Sequence, residues 1–331
     1  MDVGLALPHY DHSVPGERPL RWETVVAWAQ AAERAGLASV WLSDHLFVSP
    51  ACRGGAGDDE EGFEPLASLA GLAEATGRVR LGTLVLCPHL RPPGLLAKAL
   101  ATVDVLSGGR LTVGIGAGWF EPGSAAAGLA PPPAPQRIER LAETVEVLRL
   151  AFTGEPFDYQ GRHVQMEHMV CLPPPVQRPG PPIWVGGSGD RLLGVAAGHA
   201  DGWNAGGWSG TVAGYRERAA VLDRACHHAG RDPATVARSV NRLALVGDDE
   251  ADLRRRFELL ADRSVPGALR GMTLDDYRTG RLVGTVAQVR EQLDEWAEAG
   301  VTTLIVSLGA LPFTVTGFDG LELMASASRE H

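Results

Sequence analysis

Short apolar runs of strand length recur along this chain. Nearly every one is followed by a longer segment whose apolar residues return every three or four positions, the spacing of a helix with one buried face. Residues 3–7 form the first run, and Trp22, Val25, Val26 and Ala29 the stripe behind it, closed by Gly36. Residues 40–42 follow, then Leu66, Leu69, Ala73 and Thr76. Residues 79–86 make a third strand. Pro92 and Pro93 open the next helix, which carries Leu96, Ala99, Leu100 and Val103 and stops at Gly108-Gly109. Residues 111–115 are the fourth strand, and Ile138, Leu141, Val145 and Leu148 mark a helix that ends near Gly154.

The second half repeats the pattern. Residues 183–185 precede a helix from about Arg191, and a very short strand lies within 201–204, before the stripe Tyr215, Ala219, Leu222 and Cys226. Residues 240–246 precede Leu253, Phe257 and Leu260. Val286, Val289, Leu293 and Trp296 form the last crossover helix, with Thr285 as N-cap and Gly300 as stop, and 301–306 is the eighth strand. Eight strands, each trailed by a helix, predict a (β/α)8 TIM barrel in one domain over residues 1–331. Insertions are expected near 49–63, 122–135, 156–181 and 264–283. The third of these alternates in polarity and reads as a hairpin around Tyr159-Gln160-Gly161-Arg162.

Composition narrows the chemistry. The chain has 331 residues, 45% of them hydrophobic, and a formal charge of −10, which argues against nucleic acid or an anionic membrane as partner. Cys52, Cys87, Cys171 and Cys226 share no close spacing, so neither a zinc site nor a disulfide framework is suggested. No apolar run is long enough to span a bilayer, and the first strand starts at Val3, so a cytoplasmic protein is expected. Lys98 is the only lysine and lies mid-helix, which leaves Schiff-base chemistry almost without a candidate.

Ligands of such barrels bind where strands end, which directs attention to the polar and glycine residues there. Gly186-Gly187-Ser188-Gly189, between a strand and a helix, suits an anion held by free N–H groups, with Asp190 and Arg191 in the first turn; a ligand-free tight turn is the alternative. Asp44-His45 is a candidate acid/base pair, in which Asp44 either orients His45 or contacts a ligand. Trp119, after Gly118, either walls a flat aromatic cofactor or packs under the 122–135 loop. Trp203 and Asn204 carry the same ambiguity. His9, His12 and His89 lie in one layer, but nothing in their spacing supports a metal site. With no lysine nucleophile, metal cluster or paired carboxylates, a bound cofactor is expected to carry the reaction.

Several motifs, in order, resemble the bacterial-luciferase-like superfamily and within it the deazaflavin (coenzyme F420)-dependent oxidoreductases. They are Ala32-Glu33-Arg34-Ala35-Gly36, Trp41-Leu42-Ser43-Asp44-His45, Arg80-Leu81-Gly82-Thr83, Leu106-Ser107-Gly108-Gly109-Arg110, Gly114-Ile115-Gly116-Ala117-Gly118-Trp119, Pro181-Pro182-Ile183-Trp184-Val185-Gly186-Gly187 and Ala200-Asp201-Gly202-Trp203-Asn204. The resemblance implies that Asp44 contacts the deazaflavin and that His45 is the active-site proton donor or acceptor. It also implies a bulge with a non-proline cis peptide at Leu84-Val85 backing the central ring, Cys87 on the tail side, and the cofactor phosphate at Gly186, Gly187, Ser188, Gly189, Asp190 and Arg191. A homodimer is implied as well.

Sugar-phosphate dehydrogenases of this group carry a glutamate where this chain has Trp119 and an asparagine where it has Pro122, so a more apolar small-molecule substrate is expected. The competing functions are an FMN-dependent monooxygenase on the same scaffold and a non-catalytic flavin-binding barrel. Some luciferase-type chains carry a phosphate-binding arginine where this one has Ala117, which favours F420.

Overall fold

The eight expected strands close into a ring. In the computed structural model, which describes residues 1–48 and 60–329, they are β1 (Asp2–Ala6), β2 (Ser39–Leu42), β3 (Arg80–Thr83), β4 (Leu111–Gly116), β5 (Ile183–Gly186), β6 (Gly202–Asn204), β7 (Ala237–Gly247) and β8 (Thr303–Ser307). Each pairs in parallel with its neighbours, and the β6–β7 and β8–β1 pairings complete the barrel. The strands are buried on both faces, which is why they read as continuous apolar runs rather than alternating ones. Outside lie α1 (Trp22–Ala35), α2 (Pro65–Ala75), α3 (Pro93–Leu106), α4 (Ala134–Thr153), α5 (Asp190–His199), α6 (Val212–His228), α7 (Val286–Glu298) and α8 (Phe318–Ser328). Thr285 caps α7 through a reciprocal capping box with Gln288, as its position predicts.

The barrel interior is filled by side chains. Trp41 and Trp184 approach to 5.4 Å between ring centroids, and Trp41 lies against Gly82 so closely that a Cβ there would sit 2.2 Å from the indole. Small residues on one strand make room for large ones on the next.

Three features bear on the site, the first being the cis bulge that the resemblance implies and the other two departures from the apolar pattern. The third strand ends at Thr83, because the Leu84–Val85 peptide is cis and breaks the ladder, which resumes only where Leu86 bridges to Ile115. β7 runs longer than expected: Ser239–Leu243 pair with β8, while Ala244–Gly247 pair with a further strand, Leu282–Thr285. The 264–283 insertion therefore supplies sheet as well as loop, together with a short helix, Leu274–Arg278, and packs on its own apolar cluster of Leu245, Leu253, Phe257, Leu269, Tyr277 and Val283. A four-residue strand that contains glycine and abuts a helix cap leaves too little pattern to recognise.

The 122–135 stretch contains part of a helix, Glu121–Ala126, and the predicted hairpin forms from Phe157–Gln160 and Gln165–Met169. Most of the 49–63 loop, including Cys52, lies outside the described residues; its flanks, Phe47–Val48 and Glu60–Glu61, pair antiparallel. Among the described residues no helix is long and apolar enough to cross a membrane.

Candidate active site

A cavity of about 660 Å³ opens where the strands end. That is within the range of sites that take a drug-sized ligand or cofactor. Asp44, His45, Leu84, Val85, Cys87, Gly118, Trp119, Gly186 and Gly187 all line it. Residues separated by more than 140 positions in sequence thus meet at one mouth, as parallel strands with common polarity require.

One wall is backbone. The cis Leu84–Val85 peptide turns Val85 toward β4 and β5, where a Cβ on Gly116 would lie 2.7 Å, and one on Gly186 2.8 Å, from the valine methyls. Glycine at both positions lets the bulge fill the space between the strand ends and present a smooth face. Gly118 is equally constrained, since its Cβ would meet Cys87 Sγ at 2.2 Å.

At the end of β2, His45 stands edge-on to Trp119 (centroids 5.2 Å apart) and Phe120 (5.8 Å). Trp119 is 61% exposed, so it forms the rim and shields His45 rather than packing under the loop. Asp44 points elsewhere. Its carboxylate accepts two bonds from Arg91, at 2.6 and 2.8 Å, and one from the Cys87 N–H at 2.9 Å. Arg91 also bonds Glu64 at 2.5 Å. Burial pushes the Asp44 carboxyl above its ordinary value, against the pull of Arg91. Burial also disfavours the Arg91 cation, but its bonds to Asp44 and Glu64 outweigh that and raise it. Asp44 thus ties β2 to the turn after the bulge instead of orienting His45.

Cys87 Sγ lies 2.9 Å from His89 Nδ1, and His89 Nε2 lies 2.6 Å from Ser124 Oγ, with all three residues on the cavity. Burial, then the charge of Asp44, pushes the Cys87 thiol up to about 12. Burial and the cations Arg137 and Arg140 hold His89 below its ordinary value. This is a thiol beside a neutral imidazole, not a thiolate nucleophile.

The glycine turn divides at Gly187. Gly186 and Gly187 line the cavity, and Trp203, buried behind the barrel, fixes them by donating its indole N–H to the Gly187 carbonyl at 2.7 Å. Ser188, Gly189, Asp190 and Arg191 lie outside the lining, exposed at the rim. The N-terminus of α5 has no side-chain cap, so its N–H groups face outward unclaimed by a cap. Asp190 turns its carboxylate to Arg218 at 2.5 Å, which neutralises a charge there that would repel an anion.

Of the other candidates, Asn204 and His89 line the cavity, whereas His9 is buried beneath it on Ser43 and His12 lines a separate small crevice. Among the described residues no cluster with metal-ligand character occurs.

Several lining residues carried no sequence signal. Asn241 on β7 is one; its side-chain oxygen accepts from the amide of the candidate Asn204 on β6 at 3.0 Å. The wall opposite the glycines is Trp208, Leu243, Leu269, Leu311 and Phe313, with Arg281 as a guanidinium set among them. Arg281 lies over the Tyr277 ring and bonds two backbone carbonyls, its Nε is buried without a partner, and no carboxylate pairs with it among the described residues.

Comparison with known proteins settles the family. The luciferase-like monooxygenase family model matches residues 1–303. This chain belongs to that family. It is an oxidoreductase of the luciferase-like group, built on the (β/α)8 barrel. The F420-dependent hydroxymycolic acid dehydrogenase of Mycobacterium tuberculosis is 29% identical over 323 residues, covering 94% of this chain and 81% of that one. An F420-dependent glucose-6-phosphate dehydrogenase of Amycolatopsis mediterranei is 31% identical over 182 residues, about half of each chain (54% and 52%). Among solved structures, the monooxygenase RslO1 of Streptomyces bottropensis superposes with a TM-score of 0.77 at 23% identity, covering 99% of this chain and 98% of that one, a likeness of fold.

Proposed function

We propose that this luciferase-like protein is an F420-dependent oxidoreductase acting on a small, largely apolar organic substrate, with His45 as the acid or base. When bound, the deazaflavin supplies or accepts the hydride. The observation that carries the reading is the placement of His45 and the smooth Leu84–Val85 wall on one cavity, with Gly186 and Gly187 at its tail end. A flat tricyclic ring needs such a wall. The glycines at 116 and 186 supply it by leaving room for Val85.

The chain's own residues divide the work. Leu84 and Val85 would back the ring, and Asp44 fixes Cys87 next to them by accepting from its backbone N–H. The N–H groups of the Ser188-Gly189 turn and of the uncapped start of α5 at Asp190 and Arg191 suit the phosphate. Trp119 and Phe120 flank the His45 imidazole, which would take or give the proton of the substrate oxygen, nitrogen or carbon. Leu243, Leu269, Leu311 and Phe313 make the substrate side mostly apolar. A relative named as F420-dependent, matched over 94% of this chain, supports this choice of cofactor.

Fluorescence titration of the purified protein with F420 and with FMN, in parallel, tests the reading. Saturable binding of F420 in the micromolar range or tighter is expected. Tight FMN binding with substrate-dependent oxygen uptake, and no binding of F420, would establish the flavin monooxygenase instead.

A further inference from the structure

The substrate side of the cavity holds a charge to which the function above gives no task. Among the described residues that line the cavity, Arg281 alone carries a permanent cation, and it is set among Leu243, Leu269, Leu311 and Phe313. The carboxylate of the lining, Asp44, is already paired with Arg91. The acids near Arg281 in sequence and on the helix before the insertion are committed too. Asp276 accepts from the N–H and the hydroxyl of Thr273, at 2.9 and 2.6 Å. Glu250 takes Arg278 at 2.7 Å, and Asp275 lies 3.8 Å from the same guanidinium.

Arg281 is held in place by groups that leave its charge unanswered. Its guanidinium carbon stands 4.6 Å from the centre of the Tyr277 ring, and Tyr277 is fully buried, its hydroxyl donating to the Gly309 carbonyl at 3.2 Å. Nη1 donates to the carbonyls of Tyr277 (3.2 Å) and Thr279 (3.3 Å). The backbone one residue earlier is pinned as well. The Gly280 carbonyl accepts from the Gly210 N–H at 2.9 Å, and a Cβ on Gly280 would lie 2.8 Å from that nitrogen. Both bonds of the guanidinium thus use Nη1. Nη2 and the buried Nε, which share one edge of the fork, make none among the described residues. A half-buried cation in apolar surroundings is costly until an anion meets it.

We propose that Arg281 is a substrate-binding residue that selects molecules carrying a single carboxylate at the end of an apolar body. The inference rests on the function proposed above and deepens it by naming the substrate class. A carboxylate that meets Nη2 finds the Nε–H on the same edge, the side-on arrangement of a two-bond arginine pair. The surrounding leucines and Phe313 cover the apolar remainder. The charge count favours a carboxylate over a phosphate ester, which brings nearly two negative charges where no second permanent cation lines the cavity. A neutral molecule of the same shape leaves the guanidinium unpaired, the kind of mismatch by which a polar site discriminates most strongly. Because Arg281 belongs to the 264–283 insertion and not to a barrel strand, it bears on which substrate enters and not on the hydride step.

Isothermal titration of the F420-loaded protein with octanoate, octanamide and octyl phosphate tests this. Octanoate should bind roughly 10- to 100-fold more tightly than octanamide, the range that a charge-assisted pair gives, and more tightly than octyl phosphate. Arg281→Met should bring octanoate to within about threefold of octanamide. Arg281→Lys, which keeps the charge but loses the fork, should retain only part of the preference. Circular dichroism checks the fold of both variants, and should Arg281→Met not fold, a preference undiminished in Arg281→Lys counts against the proposal. Equal binding of octanoate and octanamide by the native protein, a preference for octyl phosphate, or a preference that survives Arg281→Met overturns this inference alone. Failure of the protein to take up F420 overturns the cofactor reading, and this one with it.

Discussion

Replacing Arg91 by Met tests whether the buried ion pair with Asp44 holds the cavity wall together. The Asp44 side chain is 1% exposed and that of Arg91 15%, and two bonds of 2.6 and 2.8 Å join them. Methionine fills similar space but leaves the carboxylate with one donor, the Cys87 N–H. Stranding a buried charge in this way costs about 3–5 kcal/mol, whereas the Arg91–Glu64 pair, with its glutamate 40% exposed, adds little. At about 2 °C per kcal/mol for a chain of this size, the melting temperature should fall by roughly 6–10 °C.

The loss should also depend on pH, with a definite sign. Without its counter-ion Asp44 titrates still further above the unfolded carboxyl value of about 3.9. A folded pKa above the unfolded one contributes stability that is complete at low pH and lost as pH rises through the folded value. The difference from the native protein should therefore be smaller at pH 5 than at pH 8. In Asp44→Asn/Arg91→Met, the two losses should fall short of adding by roughly 2–3 kcal/mol. Differential scanning fluorimetry across pH reads the native protein, both single variants and the double variant. A deficit independent of pH, with additive single losses, would refute the assignment of Asp44 to a structural ion pair.

Other expectations follow from the same geometry. Gly186→Ala places a methyl 2.8 Å from Val85 Cγ1, so it should cost about 1–3 kcal/mol and abolish deazaflavin quenching, with both partly restored by Val85→Ala. Cys87, its thiol pushed up to about 12, should react with iodoacetamide at pH 8 roughly 10³-fold more slowly in the native protein than after denaturation, as read by peptide mass spectrometry. His45→Ala should retain F420 binding but lose about 10²-fold or more in turnover of any substrate the native enzyme accepts, and unaltered turnover would favour the passive binder.

How much of this was legible in the sequence depends on how far apart the interacting residues lie. The strands and helices show in periods of a few residues, and all eight barrel strands fall where those periods put them. Gly116, Gly118, Gly186 and Gly187 were visible because glycine at a strand end has few other reasons to recur. The Leu84–Val85 bulge was visible only through family resemblance, for nothing in Leu-Val itself asks for a cis peptide. Partnerships between neighbouring strand ends left no trace. Asp44 next to His45 reads as an acid/base pair, but its partner is Arg91, 47 residues away, and neighbouring residues at a strand end point in different directions. Asn204 meets Asn241 from 37 residues away, in the same manner.

The two halves of the cavity differ in this respect, and the difference has a physical origin. A ring and a phosphate demand close backbone approach, which only glycines and open helix starts provide, so the Gly116–Gly186–α5 side is written in recognisable residues. The opposite wall is ordinary packing by Leu243, Leu269, Leu311 and Phe313 from β7, the 264–283 insertion and the segment after β8, and any apolar side chain of suitable volume meets that demand. Arg281 stands out there only once the structure shows that no carboxylate answers it among the described residues. Replacements on the glycine side should therefore decide whether a cofactor enters at all, leaving substrate preference untouched in those variants that still bind it. Leu269→Ala and Arg281→Met should leave the F420 dissociation constant within about twofold while shifting relative kcat/KM among substrates by roughly 10-fold or more, the worth of one or two methylenes or one charge at a contact. A panel of alcohols and unsaturated carbonyl compounds, with and without a carboxylate, reads that shift. Equal loss of cofactor affinity in both classes of variant would mean that the cavity does not divide in this way.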